Sequence, residues 1–209
     1  MELLTTGITF FQKGGIVMYV LLLCSLFVLS IGIERALYFR RMDSGRAFAR
    51  DFYLALANGN RQQAEKLADD ARGALADILF AVITKKPEAC KNPATYMEVQ
   101  SGIALAKLRK RLYYLSVIVT MAPLLGLLGT ISGMITSFSV FNLESGQATA
   151  ITGGVGEALI ATAMGLCVAI VSLAVHAYFS QRIENIVTDM EQCFSMVETV
   201  DDESKEEAA

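Results

Sequence analysis

Three stretches of this chain are too long and too apolar for a water-soluble fold. Ile16–Ile33 (IVMYVLLLCSLFVLSIGI) and Leu112–Leu143 carry no charge, and Ser145–Gln181 carries a single acid, Glu157, with one histidine, His176. An α-helix rises ~1.5 Å per residue, so the first run alone reaches across a hydrocarbon layer of ~30 Å. The other two exceed that length and must tilt or project. Basic residues follow the first run instead of preceding it, and no A-x-A site ends it, so it reads as a retained helix and not a cleaved signal. The expected fold class is an all-α integral membrane protein: three transmembrane helices, long cytoplasmic extensions and a helical cytoplasmic domain.

Orientation follows from the basic residues. Only Lys13 precedes the first run, whereas Arg35, Arg40, Arg41, Arg46 and Arg50 follow it. Lys107, Arg109, Lys110 and Arg111 lead into the second run, the connection FNLESGQAT has no basic residue, and Arg182 follows the third. The positive-inside rule then puts the N-terminus outside and the C-terminus in the cytoplasm. The map is a periplasmic amphipathic segment over 1–15, with Phe10 and Phe11 as anchors; spans over 16–33, 112–141 and 149–179; a cytoplasmic helical domain over 34–111; a periplasmic loop over 142–148; and a cytoplasmic helix with an acidic tail over 180–209.

Within 34–111, Asn58-Gly59-Asn60 ends one helix and Asn60 caps the next, RQQAEKLADDA. GALADILFAVITKK stops before Pro87. From about Ala94 nothing in the pattern breaks a helix until the hairpin loop, and Pro123 is expected to kink it. The tail DDESKEEAA is expected to be disordered. KLRKR (Lys107–Arg111) reads as a topology signal that also suits anionic lipid head groups.

Net charge is −3 and no basic footprint for nucleic acid is present. None of the four cysteines forms a CxxC pair or a metal cluster with His176, so neither disulfide, metal nor cofactor is expected. No phosphate-binding loop, GxSxG, HExxH or dinucleotide fingerprint occurs, so the chain is not expected to be an enzyme, and any work must draw on an ion gradient.

The sharpest feature is Glu157, in ITGGVGEALIATAMG. An ionisable group inside a span is costly, faces a bundle interior or a wet cavity, and marks an ion path. Its competing role is a protonated acid hydrogen-bonded to a neighbouring helix. If the hairpin turns between Phe141 and Thr149, Thr130 and Thr162 share a depth, and Glu157 lies one turn nearer the outside, opposite Gly133. Gly126, Gly129, Thr130, Gly133 and Ser137 form a small-residue stripe on one helix. Gly154, Ala158, Ala161, Gly165, Ala169 and Ser172 form one on the other, a pattern that serves close helix packing or a pore lining. The threonine hydroxyls either bond to their own backbone or support an ion beside Glu157.

APLLGLLGTISGMITSF (Ala122–Phe138) and GEALIATAMGL (Gly156–Leu166) resemble the second- and third-helix signatures of the ExbB/TolQ/MotA proton-channel family. Three spans favour its ExbB/TolQ branch over the four-span flagellar stator. The resemblance implies a homopentamer in the bacterial inner membrane, with the single-span helices of an ExbD/TolR-like partner dimer in its central pore. Proton flow would drive relative rotation for envelope transport or maintenance. Glu157 matches the family's pore glutamate, and Thr130 and Thr162 its pore threonines. Gly153, Ser132 and Val171 stand where the family usually has Pro, Trp and Pro. The competing class is a structural membrane scaffold without ion conduction; three spans without an inverted repeat argue against a solute transporter.

Overall fold

The computed structural model describes residues 15–84, 92–143 and 148–206, and all side chains in these ranges except those of 139–143, 148–153, 157 and 202–206. Seven helices follow one another among the described residues: α1 (Gly15–Met42), α2 (Arg46–Ala57), α3 (Arg61–Asp70), α4 (Ala74–Ile83), α5 (Pro93–Arg109), α6 (Leu112–Leu143) and α7 (Ala148–Glu206). Three long stretches are apolar enough to cross a membrane, one each in α1, in α5–α6 and in α7. The all-helical class and its three long apolar helices are thus the observed ones. The expected interfacial segment with Phe10 and Phe11, Pro87 and the loop residues 144–147 lie outside the described residues.

The chain divides into two units. The first comprises Met1–Ile33 and Leu112–Tyr178. Here α1 packs on the α6–α7 hairpin through the buried side chains of Met18, Leu21 and Val28. Phe27 meets Tyr114 edge-on, at 6.3 Å between ring centroids. Leu23, Leu124, Leu159 and Ile170 are each more than half exposed on the isolated chain. Lipid or a neighbouring helix, not water, must cover such a surface. The helix runs on through Pro123.

The second unit comprises Glu34–Arg111 and Phe179–Ala209. Successive helices α2, α3, α4 and α5 pack on one another. α4 is its core: every residue except Asp77 and Phe80 is buried. Burying each large aliphatic side chain there contributes about 1.5–3 kcal/mol. Asn60 caps α3 as expected, its Oδ1 accepting from the Gln63 amide at 3.1 Å. Gly73, at φ 124°, brings the chain against Ser44. The Ser44 hydroxyl accepts the Ala76 amide at 3.2 Å, capping α4 from 32 residues away. In α7 the buried residues Phe179, Ile183, Ile186, Met190, Cys193 and Val197 recur at alternating spacings of four and three. That is the period of a coiled-coil seam.

Four boundaries differ from expectation. α4 stops at Ile83, where the Thr84 hydroxyl bonds back to the Phe80 carbonyl at 2.6 Å. α5 begins at Pro93 itself, with Asn92 as cap accepting the Thr95 amide at 3.2 Å. Proline is favoured at the first helical position because its missing N–H would be orphaned there anyway. The acidic tail is helical through Glu206. Extending a nucleated helix is easy for Glu and Lys, and that outweighs their polarity.

The fourth is the break between α5 and α6 at Lys110–Arg111. Arg35 explains it. Its buried guanidinium donates to the carbonyls of Lys107 and Leu108 at 3.1 and 3.3 Å. Those carbonyls would otherwise serve the amides four residues on, and an inserted side chain of this kind interrupts the ladder. Lys110 keeps helical dihedrals of −49° and −36°. Arg35 is held in turn by Glu34 at 2.7 Å and by the Tyr38 ring, 4.6 Å from its centroid.

Candidate ion pathway in the helical hairpin

α6 and α7 approach closely because the seam between them is built from side chains of one carbon or none. A Cβ added at Gly126 would sit 3.0 Å from both the Ala161 carbonyl oxygen and the Thr162 Cα. One added at Gly165 would sit 2.6 Å from the Ala122 carbonyl oxygen. Gly129 faces Ala161 and Gly133 faces Ala158 at similar range, and Gly154 faces Ser137. Gly126, Gly129, Gly133, Gly154, Ala161 and Gly165 are therefore brought together in one helix–helix contact. Ala122, Ala158 and Ala161 are buried there.

Polar atoms tie the seam at two levels. Ser172 is fully buried and donates to the Leu115 carbonyl at 3.0 Å. Thr162 donates across the seam to the Gly126 carbonyl at 3.1 Å. Ser137 donates within its own helix to the Gly133 carbonyl at 2.8 Å. Thr130 also turns inward on its own helix, donating to the Leu127 carbonyl at 2.7 Å.

The two threonines are linked through the backbone. In α-helical register the Gly126 carbonyl is also the acceptor of the Thr130 amide, so Thr162 bonds to the oxygen that holds Thr130 in place. Each hydroxyl spends its single proton on a carbonyl and keeps two lone pairs as acceptors. Both threonines remain partly exposed. Chemically they can accept a hydrogen bond or coordinate a cation, but they cannot donate without breaking the bond they make.

Glu157 lies on α7 between Gly156 and Ala158, and Ala158 packs against Gly133. The backbone therefore sets it about one turn from Thr162, on the loop side. Its side chain lies outside the described residues. Ser172 closes the end of the seam farther from the hairpin loop, with a bond that residue spacing suggests only as one more small residue in the stripe.

Comparison with known proteins gives a consistent result. The model of the MotA/TolQ/ExbB proton channel family matches residues 70–192. The biopolymer transport protein ExbB-like 1 of Synechocystis is 35% identical over 170 residues, covering 79% of this chain and 67% of that protein. ExbB-like 3 of the same organism is 34% identical over 166 residues, covering 78% and 79%. The Tol-Pal system protein TolQ of Pseudomonas aeruginosa is 34% identical over 82 residues, 39% of this chain and 36% of its own length.

Proposed function

This chain belongs to the MotA/TolQ/ExbB proton channel family, and we propose that it is the ion-conducting motor or stator subunit of an ExbB/TolQ-like complex in the bacterial inner membrane. The complex converts the proton motive force into mechanical work for envelope transport or maintenance. Its partners are further copies of this chain, five in all by resemblance, and a dimer of an ExbD/TolR-like single-span protein in the shared pore. The 16–33, 112–141 and 149–179 segments cross the bilayer, with the N-terminus outside and the 34–111 and 180–209 regions in the cytoplasm.

The observation that carries this reading is the only acid in the hairpin helices' apolar core, Glu157, placed one turn from Thr162 on a glycine-lined helix. A charge there costs about 2.5–3.5 kcal/mol on insertion scales and is retained where an ion needs it. Glu157 binds and releases the coupling proton. Thr130 and Thr162, anchored on neighbouring carbonyls, present lone pairs to it from one turn deeper. Gly126, Gly129, Gly133, Gly154, Ala161 and Gly165 keep the two helices close enough to hold that arrangement.

A structural scaffold is the second reading, and the backbone bonds of both threonine hydroxyls favour it. Glu157→Gln separates the two. It keeps size and hydrogen-bonding capacity but cannot ionise. Proteoliposomes holding the chain with its partner should lose proton flux while the native mass of the assembly is unchanged. Normal flux with the Gln variant would remove the motor reading in favour of the scaffold.

A further inference from the structure

In the second unit, α5 and α7 leave a groove of about 380 Å³ open between them. Its floor is apolar: Met97, Leu105, Val187, Met190 and Phe194. Its rim is acidic: Glu98 from α5, Glu191 and Glu198 from α7. A second cavity of about 250 Å³ shares Met97 and Glu198 and adds Asp201. No Lys or Arg lines either cavity among the described residues. Among the described residues Glu98, Glu191 and Glu198 make no ion pair, whereas Glu34, Asp43, Asp51, Glu184 and Asp189 of the same unit all face an arginine.

We infer that this groove is a docking site for a cationic amphipathic helix of a different protein. The carboxylates ask for Lys or Arg, and the methionine-bearing floor asks for an apolar stripe between them. Methionine surfaces adapt to varied helical ligands. From Val187 to Glu198 the groove follows about 16 Å of α7, three turns of a bound helix. A second copy of this chain fits less well. Its exposed arginines on α2, Arg46 and Arg50, already face Asp189 and Asp51. Among its other described basic residues, Arg40, Arg41, Lys107, Arg109, Lys110 and Arg111 border the apolar runs, Arg61 donates to the Ile83 carbonyl, and Lys66 and Arg72 stand singly on and after α3. The site does not depend on the ion pathway.

The test places the photo-crosslinker p-benzoylphenylalanine at Ser101, in the groove, in the full chain in living cells; Gln192, which lines a different cavity, is the control position. Mass spectrometry of the cross-linked peptide is the readout. The Ser101 probe should yield a peptide of another protein with net positive charge and apolar residues three or four apart, and the Gln192 probe should not. The adduct should vanish in Glu191→Gln/Glu198→Gln and in Glu191→Lys/Glu198→Lys, with the assembly's native mass unchanged, and should persist in Glu157→Gln. Cross-links only to lipid, to another copy or to residues 85–91 of the same chain would overturn the inference. So would a partner peptide without net positive charge, no adduct at all, or a yield indifferent to the Glu substitutions.

Discussion

Thr162 and Gly165 lie one turn apart on α7 and respond to substitution for opposite reasons. Thr162→Val removes a hydroxyl at nearly constant volume, and with it the bond to the Gly126 carbonyl. Hydrogen bonds between membrane helices average about 0.6 kcal/mol, so the variant should fold, while its proton flux falls well below wild type in the proteoliposome assay. Equal flux at reduced stability would make the hydroxyl merely structural. Gly165→Ala adds one methyl against the Ala122 carbonyl. Overpacking of that kind costs about 1–3 kcal/mol, so denaturation in detergent should come earlier even though no polar group changes. Cys193 gives the second unit its own reporter. It is fully buried, its thiol contacts the Ala49 carbonyl, and it lies beyond the proposed 149–179 span. Burial, with the Asp189 carboxylate adding to it, pushes the thiol up to about 12. The folded state thus prefers the neutral thiol, and stability falls as pH rises past the unfolded thiol value of about 8.5. A maleimide at pH 8 should leave Cys193 unlabelled until denaturant is added; rapid native labelling would contradict the burial.

Elements were legible in the sequence where one local pattern sufficed. The three apolar runs are read from length and sparse charge, with Glu157 the one acid inside them, the α3 cap from Asn60, and the closeness of the hairpin from its two small-residue stripes. The break between α5 and α6 was not legible, because its cause sits 72 and 73 residues away in Arg35. Lys107–Arg111 by itself looks like uninterrupted helix. The buried seam of α7 from Phe179 to Val197 was open to a periodicity count, but Cys193 and the polar residues between its members mask it. At the site, the position of Glu157 and the pairing of helices could be read from loop symmetry; the choice of carbonyl made by each threonine could not, since rotamers respond to three-dimensional neighbours. Arg35→Met tests the account of the break. With the guanidinium gone, the Lys107 and Leu108 carbonyls are free for the amides of Arg111 and Leu112, and those amides should exchange hydrogen more slowly than in wild type. Faster exchange would mean that Arg35 supports the helix instead of interrupting it.

At the scale of the whole molecule, the proposed orientation rests on where the arginines and lysines lie relative to the three runs. A Ser145→Cys probe should react with a membrane-impermeant thiol reagent from the outer face, and an Asn60→Cys probe should react only after permeabilisation; the reverse pattern would invert the map. Outside the membrane helices, the second unit has a sensitive point of its own. Gly73 combines a φ of 124° with backbone atoms of Ser44 and Met42 at 2.8 and 2.9 Å from where a Cβ would stand. Every other amino acid is strained and crowded at that crossing. In genetic terms, a collection of loss-of-function alleles should therefore contain two unrelated kinds: substitutions at Glu157 that leave abundant inert protein in the membrane, and substitutions at Gly73 that leave little protein at all and are partly rescued by growth in the cold.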